Sequence, residues 1–261
     1  MGTMHSYQVT LSRKGRPTLF VTSEDLTWAV ATIVRTTHGK SPLFSIVDEH
    51  VHVVIPGDAF AVGRMCSGLV RAFNHKLGYK LNKAHISLVN GGDHLDTLIA
   101  YYLRQPAKHD LNTGHPALWP GSCFMDLIGA RCLSGFDRHL IHRHLPRLRT
   151  ERFTRVIGLP PIIPATDQEL KLAGLTQLAQ GAKAATDGKS EQQRRGRVAI
   201  AQLAKHLGFR NLDIAEVLQT HPRTIGKLAS APAEPRLVQA IRLQISLNNA
   251  IVKSARPPTH Q

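Results

Sequence analysis

The sequence predicts an α+β fold, a sandwich with a mostly antiparallel sheet, followed by an all-α trihelical module. Strand-like and helix-like patterns alternate over residues 7–105, in the order strand, helix, strand, strand, helix, strand, helix. Helical patterns dominate again in the last third of the chain. A chain of 261 residues with 42% hydrophobic residues can bury a core, which argues against disorder of the whole chain.

Each element of the first part has a local signal. Alternation and β-branched residues indicate strands, and Ser23 followed by two acidic residues fits the start of a helix. Pro106 is expected to end the last helix of this part, because proline lacks a backbone N–H. The predicted elements are strand Tyr7–Leu11, the helix opened by Ser23, strands Leu43–Ile46 and Val51–Ile55, helix Ala59–Leu77, strand Ala84–Val89 and helix Leu95–Gln105.

The rest of the chain divides into a connector and a helical module. A basic stretch and the Pro160–Pro164 segment precede residues 165–192, where a linker or loose helix is expected. We therefore predict a sheet-containing domain at 1–130, a basic connector at 131–192 and a helical domain at 193–261. The predicted helices of the last domain are Val198–Leu207, Leu212–Leu218, Pro222–Leu228 and Pro235–Val252.

The charge of the chain points to polyanionic partners. Lys and Arg number 33 against 18 Asp and Glu, a formal net charge of +15. Phosphate backbones and anionic membrane surfaces are the natural counterparts of such a field. No apolar run approaches the roughly 20 residues of a spanning helix, and no signal peptide is visible. The three cysteines form no disulfide or zinc pattern and predict a reducing, cytosolic compartment. The expected location is cytoplasmic and nucleoid-associated.

Two histidines in a predicted strand form the first candidate site. His50 and His52 lie two residues apart, so both project from one face of the strand, while Val51, Val53 and Ile55 face the core. Two imidazoles held in this way can share a divalent metal ion. Two solvated strand histidines are the alternative, since the chain has 15 histidines.

A tyrosine and a glutamine on the last helix of the first part form the second candidate. Tyr101 and Gln105 are four residues apart and share a helix face. A Tyr hydroxyl can attack phosphorus, and a Gln carbonyl can act as a neutral metal ligand. The alternative is a core tyrosine and a solvated glutamine. Tyr102 points about 100° away and is predicted to be a packing residue.

These residues carry a resemblance to a known family. The segment Asp48–Ile55, with His50-Val51-His52 at its centre, resembles the histidine–hydrophobe–histidine strand of the single-tyrosine HUH transposases. Tyr101-Tyr102-Leu103-Arg104-Gln105-Pro106 resembles their nucleophile-bearing helix, and the REP-associated tyrosine transposases are the most similar group, with Gln105 where they typically have Asn. Tyr7–Thr10 and Trp119–Ser122 are similar to the opening strand and to a later segment of that group. The resemblance covers about residues 5–130.

The resemblance implies a fold, a reaction and a set of partners. The fold would be a ferredoxin-like HUH sandwich, and His50, His52 and Gln105 would hold Mg²⁺ or Mn²⁺. Tyr101 would attack single-stranded DNA near a hairpin and form a 5′-phosphotyrosyl intermediate, which strand transfer would resolve. Some relatives act as dimers, so a homodimer is possible. The chain would be a transposase, a DNA endonuclease active in transposition and DNA recombination.

The C-terminal module is predicted to be a helix-turn-helix. Apolar residues such as Ile214 and Ile225 would pack its two helices, and the run resembles the DNA-binding end of bacterial replication initiators. The alternative is a small helical bundle that contacts its own catalytic domain. The residues expected on the outer, groove-facing side are His221, Arg223, Thr224 and Lys227.

Two further basic segments are candidate DNA contacts. One is the loop with Arg13 and Lys14, and the other includes Arg138, Arg143 and Arg147. The second segment is either a DNA clamp or a solvated linker. A catalytically silent DNA-binding regulator on the same scaffold is the main alternative to an enzyme, and a relaxase-like or replication-type nickase is a weaker one.

Overall fold

A computed structural model describes residues 5–15, 17–111, 114–186 and 190–255. The predicted α+β class is confirmed, since the described residues form eleven α-helices and a four-stranded antiparallel sheet. They group into two compact units, one drawn from 1–127 and 133–158 and the other from 128–132 and 159–261. Within these described ranges, no helix combines the length and apolar character that crossing a membrane would require.

The sheet of the first unit places its first strand near the centre. Strand order is β2-β3-β1-β4, and every pair is antiparallel. The central pair, β1 with β3, aligns Val9 with Val53 and Leu11 with Val51, and all four side chains are fully buried. The strands are β1 (Ser6–Ser12), β2 (Leu43–Ile46), β3 (His50–Pro56) and β4 (His85–Val89).

Two helices link the strands of this sheet. Helix α1 (Ser23–Thr36) is capped by Thr22, whose hydroxyl accepts from the Asp25 N–H, so the cap lies one residue before the predicted Ser23. Helix α2 (Ala59–Leu77) has the predicted bounds and contacts both α1 and β1. Phe73 on α2 packs edge-on against Phe20, with ring centroids 5.3 Å apart. These contacts give the sheet its first helical layer.

Helix α3 (Gly91–Lys108) is longer than the sequence predicts. The prediction that Pro106 ends the helix is wrong, because Pro106 lies inside its last turn. Proline removes only one N–H there, and the Gln105 carbonyl still accepts from the His109 N–H at 3.1 Å. The helix therefore continues one turn and carries His109 to its end.

The segment after α3 builds onto the edge of the sheet. A short 3-10 turn, Pro116–Leu118, precedes Trp119, whose indole N–H donates to the Ile46 carbonyl at 2.5 Å. Ser122 then forms an isolated antiparallel bridge with Ser45 of β2. Three short helices complete the unit: α4 (Phe124–Leu127), α5 (Leu140–His144) and α6 (Thr150–Val156).

The second unit is helical. Buried leucines, isoleucines and alanines of α7, α8 and α11 form its main core, including Leu170, Leu203 and Ile241. A smaller core joins α8, α9 and α10 through Ala201, Ile214 and Ile225. The helices are α7 (Asp167–Ala184), α8 (Ser190–His206), α9 (Asn211–Val217), α10 (Pro222–Ala229) and α11 (Pro235–Ser254).

The segment predicted to be a connector is structured and is divided between the two units. Residues 133–158 belong to the first unit and include α5 and α6, whereas 159–186 belong to the second. The expected linker or loose helix is α7, which begins with a capping box formed by Thr166 and Glu169 and is interrupted by a non-helical Gly174. Residues 187–189, which belong to the predicted linker segment, lie outside the described residues.

Gly121 provides a test of the close packing at the sheet edge. A Cβ at this position would lie 2.6 Å from the Ile46 carbonyl oxygen and 2.7 Å from the Trp119 indole nitrogen. We expect Gly121→Ala to lower the free energy of unfolding by about 1–3 kcal/mol, measured by urea denaturation. Gly63→Ala on α2 is the control, because its Cβ meets open space and alanine favours a helix. Equal stability of the two variants would contradict this packing.

Candidate metal and tyrosine site

Strand β3 places His50 and His52 side by side. The two rings are neighbours with centroids 4.5 Å apart, as strand alternation predicts. On the adjacent strand β1, Ser12 pairs with His50 and Thr10 pairs with His52. Cross-strand partners share a face of the sheet, so small hydroxyl residues flank both imidazoles.

His52 is buried and held in position. Only 4% of the residue is exposed, so the alternative of a solvated strand histidine is wrong for this residue. Its Nδ1 lies 3.1 Å from the Thr10 hydroxyl, and the Tyr102 ring stacks on it with centroids 5.3 Å apart. Burial, together with the charges of His50, His109 and Lys108, lowers the pKa of His52 to about 3. The imidazole is therefore neutral near pH 7, the form that can ligate a metal ion.

Helix α3 brings Tyr101 to this histidine. The Tyr101 hydroxyl oxygen lies 3.4 Å from Nε2 of His52. Tyr101 remains 39% exposed, whereas Tyr102 is fully buried, as expected of a packing residue, and burial raises its pKa. The structure thus brings the two predicted site elements, β3 and α3, together and leaves Tyr101 partly exposed.

Gln105 lies one turn further along α3 and is almost completely buried. Its side-chain oxygen has no hydrogen-bond partner among the described residues. An unpaired buried amide oxygen is costly, and a cation would satisfy it. Together with the neutral imidazole of His52, this oxygen fits the ligand chemistry of a divalent metal ion.

A second group of ligand atoms was not predicted from the sequence. Glu49, His50 and His109 each offer one ligand atom, and these atoms lie within 4.8 Å of one another, so the group could hold a metal ion. The His50 and His109 rings have centroids 5.0 Å apart. The signal was present in the sequence, because His109 follows Gln105 by four residues, but the helix was predicted to end at Pro106.

The basic residues predicted in the first unit have different surroundings. Arg13 stacks over the Tyr79 ring at 4.0 Å, and Lys14 is exposed. Arg138 donates to His139, and Arg143 pairs with Asp137. Arg147 is exposed and lines a cavity of about 430 Å³ between the start of α3 and the segment after α5. The contacts of these residues form groups separate from the Tyr101–His52 pair.

The predicted outer face of the C-terminal module is largely exposed. His221, Arg223 and Lys227 are exposed and Thr224 is half-buried, whereas Ile225 on the same helix is fully buried. His221 also caps α10, since its Nδ1 accepts from the Arg223 N–H at 3.2 Å. The basic side chains therefore project from α10 on the side away from its core.

Comparison of the chain with protein-family models, with curated proteins and with solved structures finds no match. The assignment of a function therefore depends on the site itself.

The buried, neutral state of His52 predicts a pH-dependent stability. In the unfolded chain His52 takes up a proton below its ordinary pKa of 6.5, but in the folded chain it does so only near pH 3. The contribution of His52 to the free energy of unfolding is thus fully present above pH 6.5 and is lost as the pH falls toward 3. Its slope is at most about 1.4 kcal/mol per pH unit.

We expect His52→Gln to remove this contribution, measured as the free energy of unfolding by urea at pH 7 and at mildly acidic pH with a chelator present. His75→Gln on the exposed side of α2 is the matched control and should keep the wild-type slope. Parallel pH profiles for wild type and His52→Gln would contradict the buried neutral histidine.

Proposed function

We propose that this chain is a metal-dependent single-stranded DNA endonuclease and strand transferase of the transposase type. Tyr101 is the nucleophile, and hairpin-associated DNA is the substrate. One observation carries the proposal: the hydroxyl of the partly exposed Tyr101 lies 3.4 Å from the buried His52, whose other ring nitrogen lies 3.1 Å from the Thr10 hydroxyl. A tyrosine with only a packing role would not need to present its hydroxyl at a partly exposed position.

The reaction follows from the position of Tyr101. Its oxygen attacks the phosphorus of a phosphodiester, and the bond from phosphorus to the 3′ oxygen breaks. The phenol proton passes to water, and the departing oxygen becomes a free 3′-OH. The 5′-phosphate remains on Tyr101 as a phosphotyrosyl ester, and the attack of another 3′-OH reverses the step. The ester conserves the bond, so rejoining needs no nucleotide cofactor.

A divalent ion, Mg²⁺ or Mn²⁺, fits the residues around this tyrosine. His50, His52 and Gln105 would hold it, and the orphaned oxygen of Gln105 supports this assignment. Bound there, the ion would supply Lewis-acid polarisation of the phosphate. The chain's own contribution is orientation, because Thr10 holds the His52 ring and the stacked Tyr102 fixes its plane.

The fold supports the same class of protein. The order strand–helix–strand–strand–helix–strand with the sheet order β2-β3-β1-β4 is the connectivity of a ferredoxin-like sheet. Helices α8, α9 and α10 pack on a common small core, with α10 presenting basic residues outward, which favours a helix-turn-helix that binds DNA. We propose that this module helps to place the nuclease on its target.

The nucleophile is tested by forming the covalent adduct. With labelled hairpin-flanked single-stranded DNA and Mg²⁺ or Mn²⁺, we expect a protein–DNA species that survives denaturing electrophoresis. Tyr101→Phe should abolish the adduct and leave DNA binding within about twofold of wild type, because only the attacking oxygen is lost. Tyr102→Phe is the control and should still form it. DNA binding without any adduct in the wild type would favour a catalytically silent regulator.

The role of α10 is tested by the salt dependence of DNA binding. The double variant Arg223→Ala/Lys227→Ala should weaken binding and lower the slope of log affinity against log salt by about 2, since each lost phosphate contact contributes about 1. Arg210→Ala is the control, because Arg210 already pairs with Asp213 at 2.7 Å. An unchanged slope in the double variant would show that α10 does not meet the DNA backbone.

A further inference from the structure

We propose that His109, His50 and Glu49 form a metal site that takes a divalent transition ion such as Mn²⁺ in preference to Mg²⁺. The site shares His50 with the ligand set of the proposed nuclease and extends it to the end of α3. The inference rests on the proposed function only for the role of the ion in DNA cleavage. Mn²⁺ binding at this site depends on Glu49, His50 and His109 and can be measured without DNA.

The continuation of α3 past Pro106 creates the site. Residues Tyr101, Gln105 and His109 are spaced by four, so they follow one another along one side of the helix. Tyr101 meets His52 on β3, and two turns later the His109 ring meets His50, with centroids 5.0 Å apart. The helix and the strand thus meet at these two points, at Tyr101 and at His109.

The turn between β2 and β3 supplies two carboxylates with different tasks. Asp48 Oδ1 lies 2.8 Å from Nδ1 of His109 and also accepts from the Glu49 N–H at 2.9 Å. A carboxylate on one imidazole nitrogen leaves the other nitrogen for a metal and orients the ring, as in many metal sites of proteins. Glu49, the next residue, offers its carboxylate oxygen to the same group as His50 and His109.

The backbone holds this turn in place. The Val47 N–H donates to the His50 carbonyl at 3.0 Å, and the Leu19 N–H donates to the Asp48 carbonyl at 2.6 Å. Because both ends of the turn are hydrogen-bonded, Asp48 and Glu49 start from a fixed backbone. Preorganised ligands of this kind lose less entropy when an ion binds.

The composition of the group selects the ion. Mg²⁺ prefers oxygen ligands and keeps several waters, whereas imidazole suits first-row transition ions. Two imidazoles and one carboxylate are therefore expected to bind Mn²⁺ and the ions that follow it in the series more tightly than Mg²⁺. Asp48 is a positioning residue here, because it acts through His109.

The test measures Mn²⁺ binding to the full chain without DNA, from the loss of the free Mn²⁺ signal in electron paramagnetic resonance. We expect His109→Ala and Glu49→Gln to weaken binding by about tenfold or more and Asp48→Asn to weaken it less. His75→Ala is the matched control and should bind as wild type. Circular dichroism shows whether each variant is folded, and Mg²⁺ in excess should displace little Mn²⁺.

Wild-type Mn²⁺ affinity in a folded His109→Ala variant would overturn the proposal, and so would ready displacement of Mn²⁺ by Mg²⁺. The result separates this site from the proposed function. Loss of Mn²⁺ binding in His109→Ala, without a DNA adduct in the wild type, would support the metal site and remove the nuclease assignment. A DNA adduct that depends on Tyr101, together with unchanged Mn²⁺ binding in His109→Ala, would support the nuclease assignment and remove the metal site.

Discussion

The pairing register of β1 on β3 is the constraint on which the rest of the site depends. It sets Thr10 opposite His52 and Val9 opposite Val53, so one face of the sheet is apolar and the other carries the imidazoles. A slip of one residue would exchange the two faces and bury the wrong side chains. The fully buried Val51 and Val53 therefore fix the position of His52, which lies between them, and of His50, which precedes Val51. Core packing and candidate chemistry are specified by the same hydrogen-bond ladder.

Helix α3 supplies the remaining residues of the candidate site. Its Tyr102 and Gln105 are buried, whereas Tyr101, next to Tyr102 on the same helix, stays partly exposed. This burial makes His52 a neutral, oriented imidazole rather than a solvated one. The buried amide oxygen of Gln105 has no hydrogen-bond partner in the described part of the chain, and a cation would offset the cost of burying it. The geometry favours a metal-assisted reaction of a tyrosine oxygen, which is the basis of the proposed DNA nuclease.

Periodicity predicted most of the fold and much of the candidate site. The bounds of β2 and α2 agree with the sequence, because alternation and helical spacing are local properties. The burial of His52 could not be predicted, since it depends on α3 packing over a face that looks polar in the strand alone. The sequence does not predict His109 at the site, because Pro106 predicts the end of the helix, although only one hydrogen bond is lost there. Tertiary packing decides the burial of His52, whereas the local backbone hydrogen bonds decide how far α3 extends.

The most direct test of the central claim is to locate the covalent bond by mass spectrometry. Protein that has reacted with single-stranded DNA is digested with nuclease and trypsin, and the peptide 84–104 is fragmented, since it ends at Arg104 and contains both Tyr101 and Tyr102. We predict a nucleotide phosphate attached to Tyr101. Attachment to Tyr102 or to another residue, or an unmodified peptide under conditions in which DNA is cleaved, would contradict the account.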